Sequence, residues 1–123
     1  MSTTLCKRVV LAEDHLETAQ RIFSILSTDF HVVAMVDNGE ELVRAVYRHS
    51  PDVVVSDVHM PVRNGLQAMQ ELRADGFSVP FVLVSSAFDR STNSANWGAA
   101  ACVSKNDIAT DLNQAVRLAA EGS

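Results

Sequence analysis

Five short apolar runs, whose starting points lie 20 to 28 residues apart, constrain the fold of this 123-residue chain more than any other feature. The runs occupy residues 9–12, 32–36, 53–55, 81–84 and 101–103. Runs of this length, rich in β-branched residues, are typical of strands buried on both faces of a parallel sheet. The intervening segments have the spacing of amphipathic helices, so the pattern predicts five βα units.

Four of the intervening segments carry an apolar face that could cover the sheet. The predicted faces are Leu16, Ala19, Phe23 and Leu26; Leu42, Ala45, Val46 and His49; Leu66, Met69 and Leu72; and Ile108, Leu112, Ala115, Val116 and Ala119. Right-handed crossovers then favour an α/β fold, a doubly wound five-stranded parallel sheet in the order 2-1-3-4-5. With 47% hydrophobic and 20% charged residues, we expect residues 1–123 to form a single domain.

Turn and cap signals separate these units. Asn38 and Asn64, each followed by glycine, are predicted to cap the second and third helices, and residues 106–110 to cap the last one. Asp75 and Gly76 are predicted to end the third helix. Residues 89–98 are rich in Ser, Thr and Asn, which compete for backbone hydrogen bonds, so the fourth helix should be short or frayed.

The overall charge restricts the classes of partner. A net charge of -5 and a pI near 5.2 argue against binding to nucleic acid or to an anionic membrane, because either would require a basic surface. The sequence has neither an apolar stretch of membrane-spanning length nor a signal peptide, which predicts a cytoplasmic protein. Cys6 and Cys102 lack metal-ligand spacing and are expected to be unpaired thiols. His15, His31 and His49 also lack such spacing and are expected at the surface.

Acidic residues follow closely after two of the predicted strands. Glu13 and Asp14 come after the first apolar run, and Asp57 comes after the third. Because parallel strands end at one edge of the sheet, these carboxylates should converge, and unit charges about 4 Å apart repel by about 4 kcal/mol near a protein surface. A divalent cation or a fixed lysine is therefore expected, and Lys105, after the fifth run, is the candidate lysine. Oxygen ligands of this kind suit Mg²⁺, or Mn²⁺, together with water and a phosphoryl group.

The motifs in this order resemble the receiver domain of two-component response regulators, a CheY-like, flavodoxin-like fold, and the resemblance covers nearly the whole chain. The matching elements are Glu13-Asp14, Asp57-Val58-His59-Met60-Pro61, Asn64-Gly65, Ser85 and Lys105. The resemblance implies that Asp57 is the phosphoacceptor and that Ser85 and Lys105 contact the phosphoryl oxygens. It further implies that Asp14, Asp57 and the His59 backbone carbonyl bind Mg²⁺ directly, with Glu13 acting through water.

Other positions qualify this resemblance. Ser86 competes with Ser85 for the phosphoryl contact if the strand register shifts by one residue. The His59 side chain is expected to tune phosphoryl lifetime, and Gly65 to give its turn backbone freedom. Receivers often have an aromatic residue three positions before the lysine; here that position is Cys102, so signalling by ring rotation is not expected. Lys105 is also followed by Asn106 rather than by proline.

The resemblance implies partners as well as chemistry. A sensor histidine kinase or phosphotransfer protein would donate the phosphoryl group, and an output domain or effector protein would respond. A homodimer formed on phosphorylation is a further expectation, and the chain is expected to be the N-terminal part of a longer transcription regulator. We expect no enzymatic activity beyond the phosphorylation and dephosphorylation of Asp57.

Two alternatives remain at this point. An aspartate-nucleophile phosphatase of the haloacid dehalogenase type requires the motif Asp-x-Asp. Here His59 occupies the position of the second aspartate, which argues against this alternative. A non-phosphorylated, flavodoxin-like interaction module is the other alternative. Flavin binding in such a module would want a phosphate loop rich in Gly, Ser and Thr after the first strand, which this sequence lacks.

Overall fold

The computed structural model describes residues 7–58, 60, 62–85 and 98–122. In these residues the strands are β1 (Arg8–Ala12), β2 (His31–Val36), β3 (Val53–Asp57), β4 (Phe81–Ser85) and β5 (Ala101–Ser104). The α-helices are α1 (Leu16–Ser27), α2 (Gly39–His49), α3 (Gly65–Ala74) and α4 (Ile108–Gly122), and a short 3₁₀ turn, Lys105–Asp107, precedes α4.

The five strands form one parallel sheet in the order β2-β1-β3-β4-β5. This confirms the predicted fold class and strand order. The central strands β1, β3 and β4 are almost wholly buried, as expected for strands with helices on both faces. β2 forms one edge of the sheet and is half-exposed along its length.

The two faces of the sheet carry separate apolar clusters. On one face α1 and α4 cover the sheet, and the largest buried side chains include Leu11, Ile22, Leu26, Ile108 and Leu112. On the other face α2 and α3 cover it, with Leu42, Met69, Leu72, Phe81 and Leu83. Successive residues of each strand point to opposite faces of the sheet and so belong alternately to the two clusters. The strand register therefore determines which helix pair each side chain contacts.

The helix starts follow the predicted cap signals in two cases. Asn38 caps α2 by accepting a hydrogen bond from the Glu41 backbone nitrogen at 2.9 Å. Asn64 caps α3 in a reciprocal capping box with Gln67. The third helix ends as predicted, with Gly76 at a φ of +94°.

The last helix begins differently from the expectation. The predicted cap region, residues 106–110, instead contains the end of the 3₁₀ turn and the first residues of α4. The Ser104 side chain accepts a hydrogen bond from the Asn106 backbone nitrogen at 3.2 Å and so caps the 3₁₀ turn. The chain therefore turns immediately after β5, which keeps Lys105 at the edge of the sheet.

One predicted helix face is partly wrong. In α1 the buried residues are Ala19, Ile22 and Leu26, whereas Leu16 is 66% exposed and Phe23 is 42% exposed. Ile22 and Phe23 are neighbours in sequence and differ by about 100° around the helix, so either could complete an apolar stripe. Packing against the sheet selects Ile22.

Some predictions fall outside the described residues. These concern Cys6, His59, Pro61, Ser86 and most of the fourth crossover, residues 86–97. In the part of the chain that is described, no helix is long and apolar enough to cross a membrane.

Candidate functional site

The predicted site residues lie together at the carboxyl edge of the sheet. Glu13 directly follows β1, Asp57 ends β3, Ser85 ends β4 and Lys105 directly follows β5. β1 pairs with β3, β3 with β4, and β4 with β5, and Asp57 lies opposite Val84 in the sheet. Four residues far apart in sequence thus lie on consecutive strand ends, which is where α/β folds bind ligands.

Lys105 joins two carboxylates of the site. Its Nζ lies 3.1 Å from Oδ2 of Asp57 and 3.1 Å from Oε1 of Glu13. It donates hydrogen bonds to Oδ2 of Asp57 at 3.1 Å and to Oε2 of Glu13 at 3.4 Å. The side chain is 19% exposed, so water weakens these contacts less than it would at the open surface. The predicted fixed cation is therefore in place.

Glu13 is an unusual acidic residue because its side chain is completely buried. Burial, followed by the negative charge of Asp57, raises the pKa of the Glu13 carboxyl, and hydrogen bonds from the His15 backbone and from Lys105 offset part of this effect. The pKa of Lys105 is raised as well: burial lowers it, but the hydrogen bonds and charges of Asp57 and Glu13 outweigh burial. The site therefore holds more negative charge than its lysine balances.

One oxygen of Glu13 lacks a hydrogen bond. Oε1 is buried and accepts no hydrogen bond from the described residues, although Lys105 Nζ lies nearby as an ion pair. The ammonium of Lys105, 3.1 Å from Oε1, offsets part of the cost of burying this oxygen, but Asp57 shares the same ammonium. A hard divalent cation, which prefers carboxylate oxygens and water, fits this donor set.

Asp14 and His15 lie at the outer side of the same edge. The Asp14 side chain is 30% exposed and that of His15 is 74% exposed. Nδ1 of His15 lies 3.5 Å from Oε2 of Glu13 and 3.5 Å from Oδ1 of Asp14. In the described part of the chain, Glu13, Asp14 and His15 form a group whose ligand atoms all lie within 4.8 Å of one another.

Gly65 packs directly beneath the site. Its backbone nitrogen donates a hydrogen bond to the Val58 carbonyl at 3.0 Å. A Cβ at this position would lie 2.5 Å from the Asp57 carbonyl oxygen and 2.8 Å from Oγ of Ser56. The predicted reason for this glycine was wrong: its φ is not in the left-handed region, and glycine is required for close approach of α3 to the end of β3.

The remaining predicted residues occupy positions that the described backbone defines. Ser85 is buried at the end of β4, where it lies opposite Ser104 of β5. Cys102 is half-buried in β5 and packs against the α2–α3 cluster, and burial raises the pKa of its thiol. His59 and Ser86 lie outside the described residues, so their predicted roles stay predictions.

His15 is exposed, which confirms its predicted place at the surface. Sequence reasoning does not predict its contacts: Nδ1 lies near one oxygen of Glu13 and one of Asp14. The direct adjacency of these three residues in the sequence is the signal for those contacts.

The chain matches known proteins over most of its length. The family model described as the response regulator receiver domain matches residues 9–117. The chain is 32% identical over 120 residues to the transcriptional regulatory protein DegU of Brevibacillus brevis, covering 94% of this chain and 50% of DegU. It is 39% identical over 87 residues to a protein-glutamate methylesterase/protein-glutamine glutaminase of Haloarcula marismortui, covering 70% of this chain and 23% of that protein.

The fold has a match of similar extent among solved structures. The signal receiver domain of the response regulator NarL from Mycobacterium tuberculosis superimposes with a TM-score of 0.89 at 26% identity, covering 98% of this chain and all of that one. The chain thus spans the whole of a solved domain but half or less of these two curated relatives.

Proposed function

Because the chain belongs to the response regulator receiver domain family, we propose that Asp57 is the residue on which it accepts a phosphoryl group. The observation that carries this proposal is the position of Asp57. It is a nearly buried carboxylate at the end of a central strand, with Lys105 Nζ 3.1 Å from Oδ2 and Glu13 bound to the same amine. The receiver family and this position favour phosphotransfer over the flavin-binding and phosphatase alternatives.

Phosphoryl transfer requires little of the protein beyond positioning of the reacting groups. A carboxylate oxygen of Asp57 attacks the phosphorus of a phosphohistidine, the new P–O bond forms, and the P–N bond breaks with its electron pair going to the histidine nitrogen. Lys105 is placed to hold a phosphoryl oxygen, since its amine already contacts the attacking carboxylate. Ser85, or Ser86 if the register differs, is proposed to donate a hydroxyl hydrogen bond to a second oxygen.

The acidic residues are proposed to hold a divalent cation. Asp14 and Asp57 would bind Mg²⁺ or Mn²⁺ directly, Glu13 would act through water, and the His59 carbonyl would add a further oxygen. When bound, the cation supplies positive charge against the phosphoryl oxygens. The oxygen-rich donor set supports this assignment, because Glu13 and Asp57 share the single positive charge of Lys105 and Asp14 lies beside them.

Two further residues are proposed to tune the reaction. The His59 side chain, two residues beyond the phosphoacceptor, would border the path of hydrolytic water and so affect phosphoryl lifetime. Cys102, which is half-buried, takes the place of the usual aromatic switch, so there is no ring at this position to rotate. The signal would then depend on Ser85 and Lys105 closing on the phosphoryl group.

The wider role follows from the family and from the relatives. We propose that residues 1–123 are a single receiver domain, that a sensor histidine kinase or phosphotransfer protein in the cytoplasm phosphorylates it, and that an output domain or effector responds. The similarity to DegU favours a transcription regulator as the parent protein. Self-association on phosphorylation is part of the proposal. We propose no catalysis of any other reaction, no nucleic-acid binding by this domain and no membrane association.

The test is phosphorylation by a small-molecule donor. The protein, incubated with acetyl phosphate and Mg²⁺, should gain the mass of one phosphoryl group, and Asp57→Asn should gain none. Asp111→Asn, which alters an exposed carboxylate on α4, is the matched control and should be labelled like the unaltered protein. Labelling of the Asp57→Asn variant at the full level would refute the assignment.

The metal assignment has a separate test. Millimolar Mg²⁺ should raise the melting temperature, because a ligand that binds the native state stabilises it by mass action. Asp14→Ala should abolish this increase. The assignment fails if the unaltered protein shows no increase and also accepts phosphoryl groups without a divalent cation.

A further inference from the structure

The outer side of β2 is an open sheet edge that lacks most of the features that block strand pairing. In the part of the chain that the structure describes, β2 pairs only with β1. It is the longest of the five strands, with six residues against four in β5 at the other edge, and its sequence, HVVAMV, contains no Lys, Arg, Asp, Glu or Pro. Short length, charged side chains and proline are the usual protection of an edge strand. We propose that a second copy of this chain pairs with this edge, with the two β2 strands antiparallel about a two-fold axis at Met35.

The backbone of β2 determines which residue can lie on that axis. β2 holds one extra residue relative to β1, Val33, and this bulge protects the first half of the edge. After the bulge, the Val36 carbonyl accepts a hydrogen bond from the Glu13 backbone nitrogen at 2.9 Å. Successive residues of a strand direct their backbone groups to opposite sides, so the N–H and C=O of Met35 point away from β1. They can exchange two hydrogen bonds with a second Met35 in an antiparallel pair.

The side chains beside this point add exposed apolar surface. Met35 is 45% exposed and Leu16 is 66% exposed. Both line a cavity of about 410 Å³ that adjoins α1 and β2, so the apolar surface continues from the strand to the helix. An apolar centre of this kind with charged residues around it is the usual arrangement of a protein interface.

The charged residues of α2 lie at matching distances from the proposed axis. Glu41 and Arg48 line a cavity of about 180 Å³ between α2 and β2. Ala34 and Val36, the two neighbours of Met35, line the same cavity. Seven residues of helix separate Glu41 from Arg48, a rise of about 10.5 Å, and Met35 is level with the region between them. A two-fold axis at Met35 therefore places Glu41 of one copy against Arg48 of the other, twice.

Neither end of α2 is electrically balanced within one copy. Glu40 and Glu41 share the guanidinium of Arg44, at 3.4 and 2.9 Å, which leaves one net negative charge at the start of the helix. Arg48 is exposed and makes no ion pair with another described residue. A second, antiparallel copy supplies the missing opposite charge at both ends, whereas a parallel copy would set like charges against each other.

The proposed association is independent of phosphorylation. The sheet order places β1 between β2 and β3, the strand that carries Asp57. Pairing at β2 therefore requires no phosphoryl group, and the inference goes beyond the proposed function. Asp57→Asn should associate like the unaltered protein.

Sedimentation velocity from micromolar to millimolar protein tests the surface. The unaltered chain should show a monomer–dimer equilibrium. Arg48→Glu and Glu41→Lys should each weaken dimerisation by about tenfold or more, because each sets like charges against each other, and the double variant should recover most of the affinity. Arg117→Glu, which alters an exposed arginine on α4, is the matched control and should dimerise like the unaltered protein.

A disulfide tests the position of the axis. The Cα atoms of two hydrogen-bonded residues in an antiparallel pair lie about 5.5 Å apart, within the range that a disulfide spans. With Cys6 and Cys102 replaced by serine, Met35→Cys should form a covalent dimer on mild oxidation. Leu118→Cys, at a residue of α4 that is 59% exposed, is the control and should stay monomeric under the same conditions.

Four results would overturn the inference. These are a monomer at every concentration, a dimer that neither charge reversal on α2 weakens, an equal loss in Arg117→Glu, and cross-linking of Leu118→Cys in place of Met35→Cys. Association beyond the dimer would also overturn it, because a two-fold contact closes on itself. Absence of acetyl phosphate labelling would instead refute the proposed function and leave the dimerisation result standing.

Discussion

Replacement of Lys105 by methionine should destabilise the protein in a way that depends on pH. Methionine keeps much of the apolar stem of lysine but removes the charge that two buried carboxylates share. Glu13 and Asp57 would then face each other without a cation from the protein. The loss should be electrostatic rather than a loss of packing.

The structure sets the size of this effect. The two carboxylate oxygens each lie 3.1 Å from Nζ, so they are at most about 6.2 Å apart and repel by at least about 2.7 kcal/mol at an effective dielectric of about 20. Removing one partner of a buried ion pair typically costs about 3–5 kcal/mol. We expect the free energy of unfolding at neutral pH to fall by an amount in that range.

The pH dependence identifies the cause. The pKa of Glu13 is already raised in the folded protein, and loss of Lys105 should raise it further. A carboxyl whose folded-state pKa is raised contributes stability below its unfolded-state pKa, and that stability is lost as the pH rises through the folded-state pKa. The deficit of Lys105→Met relative to the unaltered protein should therefore shrink as the pH falls from about 8 to about 5.

The assay is urea unfolding followed by circular dichroism at several pH values. Lys7→Met, which alters the other lysine of the chain at an exposed position, is the control and should change stability by less than about 0.5 kcal/mol. Adding Asp57→Asn to Lys105→Met should restore most of the loss, because one of the two repelling charges is gone. A deficit that is equal at both ends of the pH range and is not relieved by Asp57→Asn would refute the electrostatic account.

Three further substitutions test the packing around the site and between helices. Gly65→Ala should lower the free energy of unfolding by about 1–3 kcal/mol and slow acetyl phosphate labelling, because the new Cβ would lie 2.5 Å from the Asp57 carbonyl oxygen. A gain in stability, as glycine-to-alanine substitution gives in an ordinary helix, would contradict this. Asn113→Ala should cost about 1–2 kcal/mol in urea unfolding, since its amide donates to the Ile25 carbonyl at 2.8 Å at the end of α1. Val62 is an exposed β-branched residue with a φ of 69°, in the left-handed region that favours glycine. Val62→Gly should therefore leave the free energy of unfolding unchanged or raise it by up to about 1 kcal/mol. A clear loss of stability would show that the backbone is not strained there.

Much of the fold was predictable because each local signal pointed to the same arrangement. The apolar runs marked the strands, the right-handed crossover rule ordered them, and Asn38 and Asn64 marked two helix starts. The convergence of Glu13, Asp57 and Lys105 followed from strand order alone, since every strand of a parallel sheet ends at the same edge.

The failures share a physical cause, because each concerns packing between elements distant in sequence. The choice of Ile22 over Phe23 on α1 depends on how the helix is rotated against the sheet, which a run of apolar residues does not specify. The requirement for glycine at position 65 comes from contact with the Asp57 carbonyl, not from the conformation of residue 65 itself. Sequence patterns indicate the conformation of a residue more readily than they indicate a distant neighbour that leaves no room for its side chain.

The charges of the site also predict the order of events in signalling. Glu13, Asp14 and Asp57 carry three negative charges when ionised, and Lys105 supplies one positive charge shared between two of them. Phosphorylation of Asp57 adds negative charge at the residue that Lys105 already contacts, so it should draw the amine toward the phosphoryl group and away from Glu13. Buried Glu13 would then lose the ammonium that lies 3.1 Å from Oε1 and would keep the His15 backbone hydrogen bond at Oε2, which carries no full charge. We therefore expect cation binding to precede phosphotransfer, since the cation balances Glu13 before Lys105 is drawn away.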